Sequence, residues 1–153
     1  MGPVGLYYEQ WEVGQRWTTF PRTVTETDLL NFVGVTGMFE RLFLDAPHMI
    51  EESVYKKRLT PAALTFAMAE GLVIQLGLIH ETGVAFLGAT LTTKAPVGVG
   101  DTIHVEVEVT EKRLTSKGDR GLVRSVNRVV NQDGQCVLEY DPLRLIKCRP
   151  EQP

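Results

Sequence analysis

Proton-transfer chemistry needs ionisable side chains close together, and this chain places several between positions 40 and 48. Glu40, Arg41, Asp45 and His48 lie among Met38, Phe39, Leu42, Phe43 and Leu44. Apolar neighbours raise a carboxyl pKa toward a working range, so Glu40 is a candidate acid or base. The same mixture suits a pocket wall, or a packed loop in which Glu40 pairs with Arg41 or Lys56. His48 is a candidate imidazole if the loop folds back, and otherwise a helix-terminal surface residue. Asp45 suits the cap of a short helix. Glu70 is a lone charge in an apolar stretch and reads as a hydrogen-bonded structural group. His48, His80 and His104 are dispersed, and Cys136 and Cys148 lack metal-ligand spacing, so no metal is implied.

A second kind of chemistry belongs to the backbone. Thr60 is a good N-cap and Pro61 a good first helical residue. Behind them Ala62, Ala63, Ala67, Ala69 and Gly71 are narrow, while Leu64, Phe66, Met68, Leu72, Val73 and Ile74 are bulky. The pattern predicts a long helix from Thr60-Pro61 to about Ile79, buried on nearly every side. Its first turn has free N–H groups and the positive end of the helix dipole. Pro61 has no N–H, so Ala62 and Ala63 are the natural donors to an anionic oxygen.

The rest of the chain must wrap that helix. Gln15 to Val24 reads as a strand, with Pro21 near an edge or bend. Thr25 and Asp28 resemble a capping box for a helix that Gly37 ends. Pro47 opens a short helix. Strands are expected over 84–93, 102–110, 121–130 and 135–147. Residues 102–110 alternate strictly, with His104 on the solvent side. Asn131 to Gly134 forms a hairpin turn, and Pro142 marks a bulge or edge. The class is α+β in one domain, 1–153: a long helix held in a curved antiparallel sheet, the hot-dog arrangement. One such layer leaves a sheet edge open, so a homodimer or higher homo-oligomer is expected.

Composition excludes other classes. The 153 residues carry a net charge of -3, with 43% hydrophobic and 23% charged residues, an ordinary globular balance. The basic residues are scattered, which argues against a nucleic-acid surface. The run Lys56, Lys57, Arg58 is a solvated loop or a contact for an anionic ligand. The stretch 61–79 is broken by Thr65, Glu70 and Gln75, so it is no membrane span. The first ten residues lack the basic and apolar regions of a signal peptide. Two cysteines suit thiols in a reducing cytoplasm.

Three stretches carry a resemblance: VTETDLLNFVGVTG (24–37), KRLTPAALTFAMAEGLV (57–73) and KAPVGVGDTIHVEVEV (94–109). Together they resemble the MaoC-like acyl dehydratases, which include (R)-specific enoyl-CoA hydratases, over nearly the whole chain. In that family Asp-x-Asn-Pro-x-His, then x-Asp, follows the first helix, and the Asp and His do the acid–base work. Here Met38 stands at the Asp position, Glu40 at the Asn, Arg41 at the Pro and Phe43 at the His; Asp45 alone matches. Thr60, Pro61 and Ala62 stand where family members often have Ala-His-Gly.

The resemblance implies hydration or dehydration of an acyl thioester carried on CoA or an acyl carrier protein, with no cofactor. Hydration needs a base for water, an acid for the α-carbon and donors for the thioester oxygen. Glu40 is the candidate for proton transfer. Met38, Phe43, Thr60, Pro61, Ala62 and Ala63 are the candidates for substrate contact. The alternatives are an acyl-CoA-binding or regulatory subunit of a heteromeric hydratase, and a hot-dog thioesterase that uses Glu40.

Overall fold

The computed structural model describes residues 4–150, and the frayed tail expected over 149–153 falls mostly outside them. Helix α1, Glu26–Thr36, begins on a reciprocal cap: the Thr25 hydroxyl accepts the Asp28 amide, and the Asp28 carboxylate accepts the Thr25 amide at 2.9 Å. Gly37, at φ 72°, ends it in the left-handed conformation that glycine tolerates. A short helix, α2, Arg41–Leu44, follows, and then one π turn, His48–Glu52.

Helix α3, Ala62–Gln75, is shorter than expected and begins differently. Thr60 is not its N-cap. The Thr60 amide and hydroxyl both donate to the Val97 carbonyl, at 2.9 and 3.0 Å. Pro61 takes the cap position instead, with an extended ψ of 141°. At the far end Gly77, at φ 74°, turns the chain out of the helix before Ile79. Nor is α3 buried all round. Leu64, Met68, Leu72 and Val73 pack inward, while Ala63, Ala67 and Ile74 lie exposed. The sheet of one chain curls around only one side of it.

Eight strands form that sheet: β1 Arg16–Thr18, β2 Arg22–Thr23, β3 Gly83–Gly88, β4 Leu91–Thr93, β5 Thr102–Leu114, β6 Arg120–Val130, β7 Cys136–Tyr140 and β8 Leu143–Lys147. All pairings are antiparallel. The order is β1-β5-β6-β7-β4, with β2 on β5 and β8 joining β6 to β3. This is the expected hot-dog arrangement, and the sheet does not close into a barrel. Ile103, Val105, Val107 and Val109 are buried, as the alternation of β5 requires.

Three expected strands are each bent into two pieces. Between β1 and β2 the Thr19 hydroxyl accepts the Val105 amide and displaces the regular ladder. The breaks at 89–90 and 141–142 face each other. The Asp141 carboxylate accepts the Thr90 amide, and the Thr90 carbonyl accepts the Asp141 amide at 3.2 Å. β3 pairs only with β8 and β4 only with β7, so both leave one edge free among the described residues. No described helix is long and apolar enough to cross a membrane.

Candidate functional site at the start of α3

The segment before α3 is fixed by a polar network. Lys57 Nζ lies 2.8 Å from Asp101 Oδ2, which also accepts the Gly98 amide, while Gln132 donates to Asp101 Oδ1. Burial works against ionisation of Asp101, but Lys57, the Gly98 amide and Gln132 outweigh it and hold the carboxyl below the usual range. Leu59 bridges to Gly98, and the Val99 amide donates to the Arg58 carbonyl. A Cβ at position 98 would stand 2.6 Å from that carbonyl oxygen, so this close approach requires glycine. Arg58 reaches Glu26 of α1 at 2.7 Å. The start of α3 is therefore set by three separate parts of the chain.

The first turn of α3 then has a defined set of donors. The Leu64 and Thr65 amides both reach the Pro61 carbonyl, at 2.9 and 3.3 Å. The Ala62 and Ala63 amides donate to no acceptor among the described residues, and both residues are exposed. They are two free donors at the positive end of a helix dipole, the kind of group that stabilises an anionic oxygen. Beside Ala62 lies a small cavity of about 50 Å³, lined by Thr60, Thr65, Thr93, Val97, Val137 and Leu138 among others. None of its lining side chains ionises near neutral pH.

The structure brings Thr60 and Ala62 to that cavity; Pro61 is buried and Ala63 exposed, and neither is in its lining. Met38, Glu40 and Phe43 are not in its lining. Glu40 caps α2 with its carboxylate on the Arg41 amide at 2.8 Å, and it lines a shallow depression with Phe39, Leu44 and Pro47. Phe43, at the position of the family's His, packs on the main core, and Met38 is partly exposed. Asp45 does cap: it accepts the His48 amide at 3.1 Å and Arg41 Nε at 2.7 Å. Arg41 and that amide hold its carboxyl below the ordinary range. His48 turns to Glu52 at 2.8 Å rather than toward α3.

Glu70 has the partners a buried charge requires. Its carboxylate accepts Tyr140 Oη at 2.7 Å and Arg144 at 2.7 and 2.8 Å. Burial, and then the Glu70 charge, push the Tyr140 phenol well above its ordinary pKa, so it stays a donor. Sequence reasoning missed Thr65, Thr93 and Leu138 as site residues. The signal that could have found Thr65 was helical spacing, since it stands three residues after Ala62 on the same face.

Comparison with known proteins agrees with this placement of elements. The model of the MaoC like domain matches residues 10–131. A 3-hydroxybutyryl-CoA dehydratase of Methylorubrum extorquens is 27% identical over 148 residues, covering 92% of this chain and 91% of that protein. A solved monoamine oxidase regulatory protein from Archaeoglobus fulgidus is 31% identical, with a TM-score of 0.88 over 98% of this chain and 99% of its own. An R-hydratase from Pseudomonas aeruginosa is 29% identical, with a TM-score of 0.79 over 97% of this chain and 94% of its own.

Proposed function

This chain belongs to the MaoC-like domain family, and from that premise we propose that it binds an acyl thioester and adds water to its acyl chain or removes it. The observation that carries the reading is the pair of unpartnered amides at Ala62 and Ala63 beside a small cavity. A thioester oxygen placed there gains stabilisation as negative charge builds on it, without any side chain. Water then adds across the α,β double bond. Its oxygen bonds the β-carbon, and a proton ends on the α-carbon.

Glu40 is the proton-transfer group in this reading. The one hydrogen bond of its carboxylate among the described residues is an exposed helix cap, and breaking such a cap costs about 1 kcal/mol. Ligand binding can meet that cost and turn the carboxylate toward the acyl chain. Met38 and Phe43 then serve as apolar contacts. The thioester is carried on CoA or on an acyl carrier protein, and the setting is cytoplasmic.

A second reading is favoured by one observation: no ionisable side chain lines the cavity at α3. In it the chain is an acyl-CoA-binding subunit whose catalytic partner supplies the acid and base. Turnover of crotonyl-CoA, followed as loss of the enoyl absorbance, separates the two. The first reading predicts turnover that falls at least a hundredfold in Glu40→Gln. Binding without turnover supports the second, and release of free thiol makes the chain a thioesterase.

The free edges also support a homodimer. Val84, Phe86, Leu87 and Leu91 are exposed along β3 and β4, Phe86 lies edge-on to Phe66 of α3 at 6.4 Å, and Ala63, Ala67 and Ile74 of α3 are exposed as well. An uncharged, apolar edge pairs with its own copy around a twofold axis unless something blocks it.

A further inference from the structure

The cavity beside Ala62 contains a polar group that nothing in the fold uses. Thr65 is 3% exposed as a residue, its hydroxyl makes no hydrogen bond among the described residues, and it is not one of the fully enclosed unpaired polar atoms, so the little surface it keeps opens on the cavity. A buried hydroxyl costs free energy unless it has a partner. Thr36 donates to the carbonyl four residues back and Thr60 to Val97, while Thr82, away from this cavity, is fully enclosed without a partner among the described residues. Thr65 instead lines the cavity, one helical turn beyond the free amides. Thr60 and Thr93 add two more hydroxyls to the wall, while Val97, Val137 and Leu138 supply its apolar part.

The size and chemistry of this space limit what fits. A single water needs roughly 10–15 Å³ of such volume, so about 50 Å³ admits around four non-hydrogen atoms. No lining side chain carries a charge that would pair with an ionised group. An ionised carboxylate buried there would lack a cation, whereas a neutral oxygen would find a hydroxyl partner.

We propose that this cavity receives the acyl end of the thioester, and that the Thr65 hydroxyl selects short acyl groups bearing a neutral oxygen substituent over plain hydrocarbon chains. The proposal rests on the thioester reading above and adds the class of acyl group to it. Thr65 is a specificity determinant here and moves no proton of the reaction. Sites built to hydrogen-bond a substrate hydroxyl reject the analogue that lacks it, because their own polar group is then left unpaired. Leu138 and Val137 belong to its apolar wall.

The test compares two saturated probes of equal length that cannot undergo hydration, 4-hydroxybutyryl-CoA and pentanoyl-CoA, by calorimetry on the full chain. The wild type is expected to bind the hydroxylated probe about tenfold tighter. Thr65→Val, which keeps the shape and removes the hydroxyl, should abolish that ratio, and Thr65→Ser should keep it. Octanoyl-CoA should bind weakly to the wild type and gain affinity in Leu138→Ala. If both probes bind the wild type equally, or Thr65→Val keeps the wild-type ratio, the selection by Thr65 is refuted while the thioester site stands. If neither probe binds, the thioester reading fails together with this one. Thr65→Ser, together with the circular dichroism of each variant, separates loss of selection from loss of folding.

Discussion

Truncating Glu70 to Ala should destabilise the protein without touching the chemistry at the start of α3. Glu70 and Arg144 keep only 16% and 11% of their side-chain surface exposed, and the carboxylate accepts three hydrogen bonds at 2.7–2.8 Å. Removing one partner of such a pair leaves the other charge buried and alone, which costs about 3–5 kcal/mol. The residual exposure puts the expected cost near the low end, about 3 kcal/mol. For a chain of this length each kcal/mol moves the melting midpoint by roughly 2–4 °C, so a fall of about 6–12 °C is expected. Replacing both partners, Glu70→Leu with Arg144→Met, should cost less than either single change, since no charge is stranded. Urea unfolding of the two single variants and the double variant measures all three terms. A Glu70→Ala protein within 1 kcal/mol of wild type would refute the structural role. So would a stable Glu70→Gln protein that has lost turnover, because Glu70 would then act in the reaction.

Two further outcomes follow from the fold. Asp101 has a folded-state pKa below its unfolded value of about 3.9, so the stability it contributes is present above that pH and is lost as pH falls through the folded value. The acid limb of melting midpoint against pH should therefore be shallower in Asp101→Asn, and parallel profiles would contradict the network around Lys57. Leu87→Glu puts a charge on the free edge of β3, where Leu87 is 52% exposed. Sedimentation should show the wild type at the mass of two chains and this variant as a folded single chain; a wild type that sediments as one chain would refute the pairing.

What the sequence makes legible here is local. The T-E-T-D cap and Gly37 fix α1 because all of its signals lie within a dozen residues. The alternation of β5 marks its buried face because each valine contacts the core directly. Non-local contacts override such signals elsewhere. Thr60 looks like a cap, but pairing with Val97 takes its hydroxyl. The long strands looked continuous, and a bond between Asp141 and Thr90, far apart in sequence, bends two of them together. The apolar composition of α3 suggests burial all round, because composition does not distinguish a core from an exposed apolar face. At the site, the helix start was legible from Pro61 and the alanines. Thr65 was not, since a threonine inside an apolar helix looks like an interruption until a cavity is found beside it.

If the amides opening α3 polarise a thioester carbonyl, Ala62→Pro should weaken that polarisation. Proline is well suited to the first helical position, and the extended Pro61 before it already has the conformation that a following proline demands. The change therefore removes one N–H and leaves the helix in place. The measurement is the infrared carbonyl stretch of bound, isotope-labelled butyryl-CoA. In the wild type it should shift to lower frequency than in water, and in Ala62→Pro it should move part of the way back, with turnover reduced about 10²–10³-fold. An identical stretch in both proteins would mean that the Ala62 amide does not polarise the carbonyl.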